Sequence, residues 1–311
     1  MQRWVRMPGA RWDFLSGALN LFVALLLAVT VIGPQSMSAL QTEDGRHLYA
    51  QQADSCDQVL TLPSAVRPFL EFADRCLDEP PHNMALLEGD MLAMFQRLNE
   101  IRVENDLPEL QWHQGAADVA RLHGIDMLRR EYFDHSSPEG LRNEDRMRRL
   151  ERDEIFGVTG ENLAWFRDGW PESYTDMTLQ LQLEGSASHF GTMVNPDYSH
   201  VGLAIVKQGT TYTAVQVFLS AEGILIQEWP DVVHPGESLS LPAQLDGRKI
   251  EGWRLESPTG TVIARGYDTL VRLPEFVSEP GRIRLVVLVA ATPTSYLLLN
   301  GPSADLVTDA F

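Results

Sequence analysis

Cysteine is nearly absent, with two in 311 residues. That excludes a disulfide-dense scaffold and a four-sulfur zinc site. Positive charge is also scarce. Lys and Arg number 25 against 43 Asp and Glu, giving a formal net charge of -18. A chain of that sign has no general attraction for phosphate backbones, which argues against a nucleic-acid partner. The one dense basic run, Arg146, Arg148, Arg149 and Arg152, is flanked by acids. Long apolar runs are missing as well. The uninterrupted stretch Leu21–Ile32 has 12 residues, whereas a membrane-spanning helix wants about 20. There is no internal repeat, no His-Glu-x-x-His pair, no Gly-x-Ser-x-Gly elbow and no phosphate-cradling glycine loop. The remaining composition is ordinary for a globular chain, 44% hydrophobic and 22% charged, and the length suffices for two compact domains.

The N-terminus points to a compartment. Arg3, Arg6 and Arg11 precede the apolar run, Gly33-Pro34 breaks it, and Ser36-Met37-Ser38 places small residues two apart. Residues 1–38 therefore read as a signal peptide cleaved after Ser38, or, if retained, as a single-span membrane anchor. Either way the remainder is expected to be exported, periplasmic or extracellular, touching the membrane only through this segment. Losing three Arg and one Asp would make it more acidic still, and anionic lipid surfaces repel such a chain. Residues 39–84 form an acidic segment containing both Cys56 and Cys76. In an oxidising compartment these two are expected to form a disulfide, with free buried thiols as the alternative. Leu60, Leu62, Val66, Phe69, Leu70 and Phe72 suggest a helical turn or two around them. Glu79-Pro80-Pro81-His82 reads as a linker.

From Met84 the pattern changes. Leu87, Met91, Met94, Phe95, Leu98 and Ile101 recur at spacings of three and four, predicting an amphipathic helix that ends before Pro108. Ala116, Ala117, Val119, Ala120, His123, Met127 and Leu128 share one face of a second helix. A polar loop follows from Tyr132 to Asn143, then a short basic helix. Gly157–Ala164 reads as a strand, Thr178–Met193 as a helix interrupted at Gly185, and Val201–Lys207 with Tyr212–Leu219 as a hairpin. Beyond Ser220–Gly223, strand-like runs recur at short intervals: Ser238–Leu241, Ile250–Leu255, Thr261–Arg265, Thr269–Leu273, Arg282–Ala290 and Tyr296–Leu299. That is the pattern of a small all-β sandwich over residues 221–311.

Four groups of residues, in order, carry a family resemblance. Leu98-Asn99-Glu100-Ile101-Arg102 leads through Leu107-Pro108 and Leu110-Gln111-Trp112 to Ala120-Arg121-Leu122-His123 and Asp126-Met127. Then come Phe133-Asp134-His135-Ser136-Ser137-Pro138 and Gly160-Glu161-Asn162-Leu163-Ala164. Last are Ser188-His189, Asn195-Pro196-Asp197-Tyr198, Val201-Gly202 and Gln216-Val217-Phe218. Together they resemble the CAP superfamily of cysteine-rich secretory, antigen 5 and pathogenesis-related 1 proteins, in its prokaryotic branch. The resemblance implies an α+β chain: a three-layer α-β-α CAP sandwich over residues 85–220, followed by the β-sandwich.

The resemblance also implies a cleft lined by His135, Glu161 and His189. The first two are 26 positions apart and the last two 28, so only a fold could gather them. His135 and His189 are the expected ligands of a divalent metal such as zinc, which imidazoles bind through a neutral nitrogen. The second acidic position is left open between Glu172 and Glu184, with Glu184 taken as the cleft residue. Each has a plainer reading. His135 could brace its loop, Glu161 could hold a turn, and His123 on its apolar face reads as a core histidine. Asn162 reads as a tie between strand and loop. The expected function is a binding module of the cell envelope, its ligand a lipid, a peptide or an envelope protein. Two alternatives stand beside it. One is a metal-assisted hydrolase with Glu161 or Glu184 as general base; the other is a structural envelope protein with a vestigial cleft.

Overall fold

The computed structural model describes residue 56 and residues 61–169, 173–275, 280–292 and 295–307. The expected signal or anchor segment and Glu172 lie outside the described residues. All described residues belong to one compact unit.

The first half runs α1 (Val66–Asp78), β1 (Met84–Leu86), α2 (Glu88–Glu104), β2 (Gln111–Trp112), α3 (Gln114–Arg129), α4 (Asn143–Leu150), β3 (Glu154–Arg167), α5 (Thr178–Glu184), α6 (Ala187–Met193), β4 (His200–Gln208) and β5 (Thr211–Ile224). Strands β4, β5 and β3 pair antiparallel in that order, with β1 on the outer side of β4. Period-two alternation sends their side chains to two opposite faces. Val201, Leu203, Ile205, Tyr212, Ala214, Phe218, Ala164 and Phe166 meet Met94, Leu98 and Ile101 of α2 and Leu179 and Leu183 of α5. Ala204, Val215, Val217, Leu219 and Leu163 meet Ala116, Val119, Ala120 and Met127 of α3 and Met147 of α4. These are the three layers the resemblance implied. Gly202 is where α3 comes closest: a Cβ there would stand 1.9 Å from the Ala117 nitrogen.

Helix α1 is longer than the turn or two expected from sequence. Val66, Phe69, Phe72, Ala73 and Cys76 are all buried, and Phe69, Phe72, Ala73 and Cys76 share a core with Leu122, Ile125 and Leu128 of α3. Helix α3 is therefore buried on two sides, by the sheet and by α1. Cys56 and Cys76 form a disulfide, with Cα atoms 5.0 Å apart, and fix the chain ahead of α1 to its last turn.

Strand β5 crosses position 220 without a break, and the chain continues through β6 (Val232–Val233), β7 (Ser238–Ser240), β8 (Gln244–Leu245), β9 (Arg248–Glu256), β10 (Val262–Gly266), β11 (Leu270–Arg272), β12 (Gly281–Thr292) and β13 (Ser295–Leu306). The main path is β1-β4-β5-β3-β13-β12-β9-β10, while β7 and β11 form a separate two-stranded sheet. A second core fills this β-rich half. Trp253 and Leu255 of β9, Leu285 and Val287 of β12 and Leu299 of β13 meet Val271 of β11, with Ile155 the contribution from β3. Strands β13 and β3 share a single register pair, Asn300 with Phe156. Beyond that contact, no strand among the described residues pairs with β3 on that side.

Helix α4 joins the parts. Arg148 donates to the Leu285 oxygen at 2.9 Å, the Gly301 oxygen at 2.8 Å and the Asn300 side chain. Arg149 donates to the Pro63 oxygen at 3.0 Å and lies over the Phe69 ring. Just past the helix, Arg152 donates to the carbonyls of Trp229, Pro230 and Ser303 at 2.8–2.9 Å. The basic run is thus mostly buried, and Arg148, Arg149 and Arg152 turn much of their charge toward backbone oxygens. Burial pushes Arg149 and Arg152 each down to about 10, which still leaves both charged at neutral pH.

Glu151, at the end of α4, is held in the opposite sense. Burial pushes it up to about 7, against the pull of His113 and with the push of Glu154, Asp153 and Asp118. Its folded value lies above the unfolded one of about 4.3. The stability it contributes is whole below that value and lost as pH rises through about 7. Glu151→Gln is therefore expected to stabilise the protein by roughly 1–3 kcal/mol near pH 8 and hardly at all near pH 4. Urea unfolding at the two pH values checks this, and an equal effect at both would refute it. Replacing both cysteines with serine is expected to cost about 2–4 kcal/mol in the same assay.

Candidate functional site

The polar loop between α3 and α4 carries His135. Asp134 shapes it by accepting from the Ser136 nitrogen at 2.8 Å, and Ser137 closes it by donating its backbone N–H to the Leu141 oxygen at 3.0 Å. The result leaves the His135 side chain 56% exposed. Glu161 lies on β3 with its carboxylate 4% exposed. Neighbouring residues of a strand face opposite ways, so Glu161 faces α3 and α4 while Asn162 faces α5 and α6.

Both oxygens of the Glu161 carboxylate are engaged. Oε2 lies 2.8 Å from His135 Nδ1. Oε1 accepts from Arg146 Nη2 at 2.6 Å and lies 3.0 Å from His123 Nδ1. Burial alone would raise its pKa. The Arg146 guanidinium, then His123 and His135, more than reverse this and hold the carboxylate well below the usual range. Glu161 is thus an anion at any ordinary pH, and it receives the His135 Nδ1 proton. That leaves Nε2 of the exposed ring as the free nitrogen, the arrangement in which a carboxylate orients a ligating or basic histidine.

His189 is on α6, across the open edge of β3. Its carbonyl accepts from the Asn162 side chain at 3.0 Å. Partial burial lowers its pKa, and the charge of nearby His135 lowers it further. Asn162 therefore ties strand to helix, as its sequence context suggested. From there an amide chain runs inward: Asn162 donates to Gln216 at 3.0 Å, Gln216 to Gln180 at 3.1 Å, and Gln180 to Glu184 at 3.1 Å. Glu184 pairs with Arg97 at 3.2 Å. The structure thus brings His135 and Glu161 into contact and leaves His189 near enough for the His135 charge to lower its pKa. It places Glu184 at the far end of the amide chain, bound to Arg97 and Gln180.

Two residues of this cluster escaped sequence reasoning. His123 sits on the apolar face of α3 and is buried as a core histidine would be, yet its ring touches Glu161 and Arg146. Arg146 belonged to the one dense basic run, to which the sequence reading gave no site role. A signal was available: Arg146 is the member of that run closest in sequence to the histidine loop, and it follows the acidic first turn of its helix. A cation placed there gains nothing from the helix dipole, which favours positive charge at the other end.

Gly160 has a role of its own. A Cβ there would meet the Tyr198 hydroxyl at 2.2 Å, so the Gly-Glu-Asn run starts with glycine because α6 and the following loop press on β3. Among the described residues no three His, Cys, Asp or Glu side chains converge as a metal group, and no helix is long and apolar enough to cross a membrane.

Residues 95–218 match the model of the cysteine-rich secretory protein family, CAP. The uncharacterized membrane protein YlbC of Bacillus subtilis is 30% identical over 119 residues, 38% of this chain. The chain spans about a third of that relative's length, 32%. Among solved structures, an outer surface protein of Borrelia burgdorferi is 18% identical with a TM-score of 0.39, covering 44% of this chain and 98% of its own. An extracellular protein containing an SCP domain from Bacillus anthracis is 31% identical with a TM-score of 0.35, covering 43% of this chain and 41% of its own.

Arg146→Met leaves Glu161 buried without its strongest partner. The expected cost at neutral pH is about 3–5 kcal/mol. In the native protein the folded pKa of Glu161 is depressed, so its contribution is present above about 4.3 and lost as pH falls toward the folded value. The variant lacks that contribution, and the difference between the two proteins should narrow on acidification. Urea unfolding at neutral and acid pH measures it; a constant difference would refute the assignment.

Proposed function

Residues 95–218 of this chain are a CAP domain, and from that premise we propose that the protein is an exported binding module of the cell envelope. Its binding surface is the part of β3 that His135 and His189 flank. The observation that carries this reading is the state of Glu161. A carboxylate bonded to Arg146 and His135, and held ionised well below the usual range, is a poor base and a good support. It orients one exposed imidazole toward a ligand. Export is supported by the apolar run Leu21–Ile32 behind three arginines and by the Cys56–Cys76 disulfide, a bond that persists in oxidising compartments. The strongly acidic chain disfavours anionic membrane surfaces. A lipid, a peptide or an envelope protein would therefore be met at the histidine surface, through its own polar group.

A divalent metal such as zinc would find two protein ligands there, His135 and His189. Glu161 would stand behind His135 and raise its basicity. Two imidazoles leave the remaining positions of a tetrahedral ion to water or ligand, so such an ion would be exchangeable. The hydrolase reading is weakened on the same geometry. Glu161 is committed, and Glu184 is neutralised by Arg97, so neither is placed as a general base.

Two measurements test the proposal. Zinc added to the purified protein is expected to shift the His135 and His189 NMR signals together, and His135→Ala should remove the response of His189. Mass spectrometry of protein isolated from its native compartment should find a bound or exchangeable lipid or peptide that His135→Ala releases. No ligand in the native protein, together with no response to millimolar zinc, would reject the binding reading in favour of a structural envelope protein.

A further inference from the structure

Helix α2 has a second side that the core does not use. Met94, Leu98 and Ile101 point from it toward the sheet. Phe95, Asn99 and Val103 form another row at spacing four, with Glu100 and Glu104 in a row beside it, because residues four apart stack along one helix face. Glu109 and Leu110, in the segment that enters β2, close the other wall. Together these residues line an open groove of about 910 Å³, within the ~300–1,000 Å³ usual for ligand pockets.

The floor of the groove is apolar, and its polar groups are spent. The buried Asn99 side chain donates to the Leu110 oxygen at 3.1 Å and accepts from the Leu110 nitrogen at 2.8 Å. A strand laid in the groove would find no free backbone group at Leu110. What the floor offers is the surface of Phe95, Leu110 and Val103. Val103 is 58% exposed, and Trp112, also exposed, stands edge-on to Phe95 with ring centroids 5.6 Å apart.

The rims are acidic. Glu100, Glu104 and Glu109 are exposed, and no described Lys, Arg or His lines the groove. Arg97 is the near cation. It bonds Glu100 at 3.2 Å and Glu104 at 3.1 Å, but also Glu184 at 3.2 Å, so one guanidinium answers three carboxylates. Arg102 is buried and turned to the carbonyls of Pro108, Met193, Asn195 and Tyr198. Glu109 pairs with no described residue. Glu104 is the last residue of α2, at the end where the helix dipole is already negative. A carboxylate there gains nothing from the helix. The result is a negative potential on both sides of an apolar floor.

We propose that this groove is the docking site for a short basic segment of a partner protein, with an apolar side chain on the Phe95–Val103 floor and Lys or Arg side chains at the glutamate rims. An apolar centre inside a charged rim is the anatomy of a protein interface, and the charge on the rim selects the sign of the partner. An anionic segment is repelled by the same three carboxylates. The groove shares no residue with the His135 surface, so the proposal stands apart from the reading of that surface.

The test uses the full chain and a pool of synthetic hexapeptides in which Lys or Arg alternates with Leu, Val or Phe. The pool is expected to shift the methyl NMR signals of Val103 and Leu110 and to leave the His135 signals in place. Binding should weaken as salt is raised, because exposed charges are screened. Glu104→Gln and Glu109→Gln should each weaken it by roughly twofold to fivefold, the range of an exposed ion pair. Val103→Ser should weaken it without changing its salt dependence. Two control probes separate the other occupants. A pool with Glu in place of Lys and Arg that binds as well would show that charge plays no part. Spermine shifting the same methyls as strongly would show a cation site without apolar contact. Either result overturns the proposal, as does the absence of a shift at millimolar peptide or a shift confined to other parts of the molecule. Should a variant fail to fold, the peptide pools and spermine on the unmodified protein decide.

Discussion

The burial of the guanidinium groups of one short helix is the constraint on which the structure depends. Helix α4 and the residue pair after it carry four arginines that cannot shed their charge and must be bonded wherever they are buried. Each solves this in a different part of the molecule. Arg146 goes to Glu161 and the Leu141 carbonyl, Arg149 to the carbonyl of Pro63 and the face of Phe69, Arg148 to β12 and β13, and Arg152 to the Trp229–Pro230 turn and Ser303. The disulfide segment, the candidate site and the β-rich half are thus all fastened to one short helix and the residues just past it. Most of the acceptors are backbone oxygens, so the arrangement fixes chain positions more than side-chain identities.

The candidate site follows from that constraint and from strand alternation. Glu161 and Asn162 are adjacent, so one faces α3 and α4 and the other faces α5 and α6. The two histidine segments approach β3 from those two sides, one through Glu161 and the other through Asn162. On one side a charged cluster orients His135. On the other a chain of amides, Asn162, Gln216 and Gln180, holds the backbone of His189 and ends at the Arg97–Glu184 pair. One half of the site is stabilised by charge and the other by neutral hydrogen bonds. The difference matters chemically, because the His135 imidazole stays exposed while the ionised carboxylate behind it is already committed to its partners.

Much of the fold was legible in the residues. The spacing of Met94, Leu98 and Ile101, and of Ala116, Val119 and Ala120, specifies helices because apolar residues three and four apart share a face. The alternation in Val201–Lys207 and Tyr212–Leu219 specifies a hairpin, and Gly185 breaks α5 from α6 where expected. The longer strands after Ser238 overlap the runs read from sequence. The length of α1 was not legible, since its apolar face has meaning only once α3 is there to cover it. The reach of β5 through position 220 was not legible either. Gly223 reads as a boundary, yet the strand continues because β3 is paired alongside it as far as Ile224.

Local periodicity was enough to specify the helices and the hairpin, two cysteines in an oxidising compartment implied their own pairing, and the family resemblance implied the three layers and singled out His135, Glu161 and His189. The tertiary structure alone decided what each of those residues does. Whether Glu161 is a ligand, a base or a support depends on which donors surround its oxygens. Those partners, His123 and Arg146, are separated from it by 38 and 15 positions, and one reads as a core histidine and the other as a member of a basic run in its own segment. A buried charge takes its role from the partners that replace its water, and no linear pattern encodes which partners those are.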